Sequence, residues 1–108
     1  GTLEKRQDEL LAMTTGMHRT LGRFATMPPT EIARLLAGYF PDIEPAIFAA
    51  LIARARALGL WGPDPLIRRA GYDWLHAAMR AHGTLGRDVA YEACVDTTLA
   101  RRAIAAMA

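Results

Sequence analysis

Pro45-Ala46-Ile47-Phe48-Ala49-Ala50-Leu51-Ile52-Ala53-Arg54-Ala55-Arg56-Ala57-Leu58-Gly59 reads as a helix along its whole length. Proline is favoured in a first turn, where its missing N–H would have had no partner, and glycine is favoured just past a helix end. On a helical wheel Ile47, Phe48, Leu51, Ile52, Ala55 and Leu58 fill one broad arc, with Arg54 and Arg56 at its edges. Ala49, Ala50, Ala53 and Ala57 fill the opposite arc. Two readings of the alanine arc stand. Either the helix is covered on both sides, or alanine is there as the best helix former and faces water.

Upstream, Phe40-Pro41-Asp42 forms a corner, preceded by a short helix from about Glu31 to Tyr39. Thr30 is placed to cap that helix, with Ile32, Leu35 and Leu36 on its buried side. Met27-Pro28-Pro29 closes a longer first helix, from about Leu3 to Ala25, because proline restricts its predecessor and donates no amide. Leu3, Leu10, Met17 and Phe24 recur every seventh residue there, with Met13, Thr14 and Leu21 in the same stripe and Lys5, Asp8, Arg19 and Arg23 opposite. Gly16 and Gly22 weaken a coiled-coil reading and favour a helix packed on a larger body.

Downstream, Trp61-Gly62-Pro63-Asp64-Pro65 is a rigid loop by composition. A fourth helix from about Arg69 to Ala81 buries Tyr72, Leu75 and Met79, and Gly83 is placed to end it. Val89–Glu92 is a brief segment, and Asp96 or Thr97 caps a last helix running toward Ala106. No period-two alternation persists anywhere, so the expected fold is all-α, about five helices in an irregular orthogonal array forming one domain over residues 1–108.

Composition agrees with a packed chain. Of 108 residues, 52% are hydrophobic and 22% charged, the opposite of a disordered balance. The formal charge is +2, Lys5 is the only lysine and no block of like charge forms a nucleic-acid arm. No apolar run approaches the roughly 20 residues of a membrane span. Gly1–Arg6 lacks the apolar centre of a signal peptide, so a mature or trimmed start is expected.

Each chemistry-bearing residue has a structural explanation. His76 and His82 are six apart, whereas two metal ligands on one helix face need three or four, and His18 borders an apolar stripe. Cys94 has no histidine placed beside it by the sequence and reads as a small core residue. Asp42, Glu44 and Asp64 sit at proline corners, where acids cap helix starts. A helix-turn-helix across Phe40–Glu44 would present Ala46, Ile47, Phe48, Ala49 and Ala50 to DNA, residues suited to burial. No catalytic, cofactor-binding or metal-binding residue is therefore assigned, and no nucleic-acid partner.

Taken in order, Tyr39-Phe40-Pro41-Asp42, Leu58-Gly59-Leu60-Trp61, Asp64-Pro65, Arg69 with Gly71, and Tyr91-Glu92-Ala93-Cys94-Val95-Asp96 carry a family resemblance. They resemble the C-terminal segment of periplasmic solute-binding proteins of ABC importers, of the nitrate/sulfonate/bicarbonate/thiamine-precursor class. The resemblance spans nearly the whole chain and rests on order and spacing. It departs at Thr84–Arg87 and at Ala90, where a proline is expected.

The resemblance implies a fragment of a larger two-lobed α/β clamshell, which closes on a small solute and delivers it to an ABC permease. It implies a periplasmic, non-enzymatic chain without cofactor, bracing one lobe and making no ligand contact. Its partners would be the rest of the solute-binding protein and the permease. Alone, the fragment is expected to homodimerise through Leu10, Met17, Leu21 and Phe24. The alternative is a free-standing helical protein-interaction or regulatory module, and a small helical enzyme is the third reading.

Overall fold

A computed structural model describes Gly1–Met107, and every regular element among these residues is helical. In order they are α1 (Thr2–Lys5), α2 (Gln7–Thr26), α3 (Pro29–Leu36), a 3-10 turn (Ala37–Tyr39), α4 (Pro45–Ala57), α5 (Arg69–Ala81), α6 (Tyr91–Cys94) and α7 (Thr98–Ala106). The all-α expectation holds. The number of helices is larger than the five expected because two single turns, α1 and α6, stand apart. The first helix is interrupted at Arg6, whose backbone leaves helical geometry at φ −124° and ψ 34°.

The chain forms two compact units, Thr15–Pro65 and a second made of Gly1–Thr14 with the residues from Leu66 onward. In the Thr15–Pro65 unit, α3 begins two residues earlier than expected. Pro28 takes an extended backbone (φ −55°, ψ 136°) at the N-cap position and Pro29 occupies the first turn. A proline pushes its predecessor out of the helical region and supplies a ready-made helical φ of its own. Thr30 therefore lies inside the helix and does not cap it.

The core of this unit is Ile32 and Ala33 from α3 against Ala49 and Ile52 from α4, ringed by Phe24, Met27, Leu36 and Phe48. Small residues at Ala33 and Ala49 let the two helices approach closely. That approach decides the orientation of α4, whose inward side carries Phe48, Ala49, Ile52, Ala55 and Arg56. Neither reading of the alanine arc holds whole: Ala49 is buried, while Ala50, Ala53 and Ala57 are exposed. The large apolar residues divide as well. Ile52 is 3% exposed, but Ile47, Leu51 and Leu58 are 54%, 54% and 65% exposed.

Both predicted glycine stops are observed. After α4 the Gly59 amide donates to the Arg56 carbonyl and the Leu60 amide to the Ala55 carbonyl, with Gly59 at φ 69°. After α5 the same pair of bonds runs from Gly83 to Arg80 and from Thr84 to Met79, with Gly83 at φ 73°. This paired closure satisfies carbonyls that the helix leaves open, and its left-handed residue favours glycine. The first of these turns is followed by Trp61, which packs edge-on against Phe24 at 5.0 Å. Phe40, in the proline corner, likewise meets Phe48 edge-on at 5.2 Å.

In the other unit, α5 spans the expected Arg69–Ala81, although Leu75 is 53% exposed and Tyr72 and Met79 are only half-buried. Ala100 and Ala103 of α7 are buried. Thr97 occupies the N-cap of α7 without a side-chain cap bond. Asp96 takes that role, its carboxylate accepting the Thr98 amide at 2.9 Å.

Candidate functional site

The densest polar cluster joins α5 to residues 84–95 of the same unit. A helix presents residues four apart on one face, so Arg69, Tyr72, Asp73, His76 and Arg80 form a polar row along α5. Arg69 pairs with Glu92 of α6, lies 3.7 Å from Asp73, and stacks over the Tyr91 ring at 5.6 Å. Tyr91 in turn meets Tyr72 edge-on at 5.4 Å and donates its hydroxyl to the Ile67 carbonyl at 2.5 Å. Further along, the Tyr72 hydroxyl donates to the Val89 carbonyl at 2.8 Å, and the Val89 amide donates to His76 Nε2 at 3.0 Å. Arg80 Nη1 donates to the Leu85 carbonyl at 3.1 Å, while its Nε lies 3.2 Å from Asp88.

Several protonation equilibria follow from these contacts. The Cys94 thiol beside the phenol, then loss of hydration, raises the Tyr72 pKa above the usual 10. Glu92 is held below the ordinary carboxylate range, first by its own backbone amide and then by the Arg69 guanidinium, whose own pKa Glu92 raises. The Thr98 hydroxyl and amide lower Asp96, and the N-terminal ammonium lowers Glu4.

Beneath the cluster is a cleft of about 180 Å³, lined by Leu75, His76, Met79, Leu85, Val89 and Cys94. Cys94 is exposed and free, not the core residue its sequence context suggests. His76 borders the same cleft, but its Nε2 already accepts the Val89 amide and cannot take a proton from the thiol while that bond is made. The cluster therefore orients backbone and ties segments together.

The remaining candidates are dispersed. His82 is the exposed C-cap residue of α5. His18 is half-buried on α2, and its Nδ1 has no hydrogen-bond partner among the described residues. Glu44 stands at the N-cap of α4 but makes no side-chain cap bond, so the capping role expected of it is not observed. Arg54 is exposed, whereas Arg56 turns inward and donates to the Met27 carbonyl at 2.6 Å. Among the described residues no group of three His, Cys, Asp or Glu side chains is placed to hold a metal ion, and no helix is long and apolar enough to cross a membrane.

The Thr15–Pro65 unit offers surface of another kind. One shallow cleft of about 160 Å³ is lined by Arg23, Phe24, Met27, Ile32, Leu35 and Leu36, and α4 with its C-cap residue carries the open row Ile47, Leu51 and Leu58. No residue pattern in the sequence singles out the Arg69–Glu92 or His76–Val89 ties. Their partners are 23 and 13 residues apart, and helical periodicity carries no information across a loop. No family model, no curated protein and no solved structure matches the chain.

Proposed function

We propose that the chain is a non-enzymatic helical bracing element, the C-terminal part of a periplasmic solute-binding protein that serves an ABC importer. The observation that carries this reading is what the family-like clusters do physically. Phe40 folds the Tyr39–Asp42 corner onto Phe48; Gly59 turns the chain so that Trp61 reaches Phe24; Tyr91 and Glu92 tie α6 to α5; and Asp96 caps α7. Each cluster is spent on corners, stops and ties, as expected of a segment that supports a lobe while ligand is held elsewhere. The open apolar row Ile47, Leu51 and Leu58 is surface suited to packing on a larger body.

On this reading the partners are the α/β lobes of the same protein and, through them, the permease. The solute is a small anion or heterocycle. Separated from its lobe, the 108-residue chain self-associates through exposed apolar residues, and a clean monomer by light scattering at high micromolar concentration would contradict that.

The deciding experiment uses the complete gene product. Ile47→Asp with Leu51→Asp is expected to lower its Tm while leaving the solute Kd, measured by calorimetry, within about twofold. Abolished binding with an unchanged Tm would show that the surface holds ligand. A gene product lacking α/β lobes would leave the interaction-module reading in its place.

A further inference from the structure

We infer that His76 is a pH-sensitive latch on the 84–90 segment, holding the segment against α5 while its imidazole is neutral and releasing it on protonation. Residues 84–90 form no helix or strand; the Thr84 and Leu85 amides close on the Met79 carbonyl, and side chains of α5 serve backbone groups of Leu85 and Val89. Val89 is gripped on both of its backbone groups by residues four apart on α5: Tyr72 donates to its carbonyl and His76 accepts from its amide.

The acceptor role dictates the protonation state. An imidazole nitrogen accepts a hydrogen bond only when it carries no proton, so the ring proton of His76 sits on Nδ1. A second proton would turn Nε2 into a donor aimed at another donor. The bond to Val89 is then lost, and a buried-side amide is left facing a cation. Histidine is the side chain whose ordinary titration falls between about pH 5 and 8.

On α5 the neighbouring charges are Asp73 one turn before, engaged with Arg69, and Arg80 one turn after, engaged with Asp88. The segment itself brings Arg87 and Asp88, the latter paired with Arg80, and at the cleft stand the Tyr72 phenol and, from α6, the Cys94 thiol. The Arg80 bond to the Leu85 carbonyl and the Tyr72 bond to the Val89 carbonyl survive acidification. Protonation thus loosens the segment at one point without freeing it entirely, and opens the apolar cleft of Leu75, Met79, Leu85 and Val89. The sign is definite: the latch is closed at high pH and is lost as pH falls.

The test is NMR on the 108-residue chain. Long-range nitrogen spectra should show the Nδ1-protonated tautomer of His76 at pH 8. Protection of the Val89 amide, corrected for intrinsic exchange, should fall about tenfold by pH 5, the worth of roughly one hydrogen bond, with the same midpoint as the His76 ring. An Nε2-protonated tautomer, or unchanged Val89 protection while His76 titrates, would overturn the inference. His76→Gln keeps an acceptor that does not titrate, and its Val89 protection should be flat over the same range; a fall as large as in the parent chain would move the effect to another group and overturn the latch. Should the glutamine variant not fold, the shared or separate midpoints in the parent chain decide the question alone.

Discussion

Arg56 donates from Nη2 to the Met27 carbonyl at 2.6 Å, so the last turn of α4 is tied to the residue that ends α2. The Met27 amide itself closes back on Arg23, leaving the Met27 carbonyl as the point where α2 gives way to Pro28. The guanidinium satisfies a carbonyl that a following proline cannot serve. Replacing Arg56 with methionine, which keeps much of the apolar stem, should cost about 1–3 kcal/mol in urea unfolding, the range for a hydrogen bond from a charged group. Leu58 and Arg54 are exposed, and Arg54→Met is the control expected to stay within about 0.5 kcal/mol.

Ile52 and Leu51 are adjacent in sequence and opposite in environment, at 3% and 54% exposure. Ile52→Ala opens a cavity between α3 and α4 and should destabilise by about 2–5 kcal/mol. Leu51→Ala should cost less than about 1 kcal/mol in the isolated chain. Chemical denaturation of the two variants side by side reports directly which way α4 is rotated, and equal losses would place both residues in the core.

Gly59 and Gly22 should respond with opposite signs to alanine. At Gly59 a new Cβ would meet no atom within 4 Å, yet φ is 69°, so the penalty is purely that of the left-handed backbone, about 1–2 kcal/mol. Gly22 lies within α2 with right-handed backbone, and its added Cβ also meets nothing within 4 Å. There alanine should stabilise by about 0.5–1 kcal/mol. Thermal melts of the two variants should therefore shift in opposite directions.

Asp96 links α7 to pH. Its folded-state pKa is lowered by the Thr98 hydroxyl and amide, so its contribution is fully present above the ordinary aspartate range and is lost as pH falls through the folded value. The Tm of the parent chain should drop on acidification below about pH 4. Asp96→Ala should lower the Tm at neutral pH and show a shallower acid limb. An identical acid limb in the variant would assign the effect to other carboxylates, with Glu92 the next to examine because its pKa is lowered as well.

Much of the helical content was legible because its signals are local. Pro45 and Gly59 bound α4, the limits of α5 match its apolar period, and Gly83 stops it as its position suggests. Misreadings occurred where two local rules competed. Thr30 is a good cap by residue type, but the Pro28-Pro29 pair starts the helix ahead of it. Glu44 stands where a cap should be, and its side chain does not cap. The clamp of Tyr72 and His76 on Val89 was invisible, because it depends on the path of residues 84–90 and no periodicity governs that path.

Sequence alone determined that the chain is helical and where most helices start and stop, because backbone propensity, proline geometry and glycine's tolerance of positive φ act within a few residues. Only the tertiary structure decided which side of each helix is inside. On α4 the wheel offers a broad apolar arc with no preferred centre, and the close contact of Ala33 with the Ala49 side of the helix selects one edge of it. That selection buries Ile52 and leaves Ile47, Leu51 and Leu58 in the open. Burial depends on what a second helix brings to the contact, and composition along one helix does not contain it.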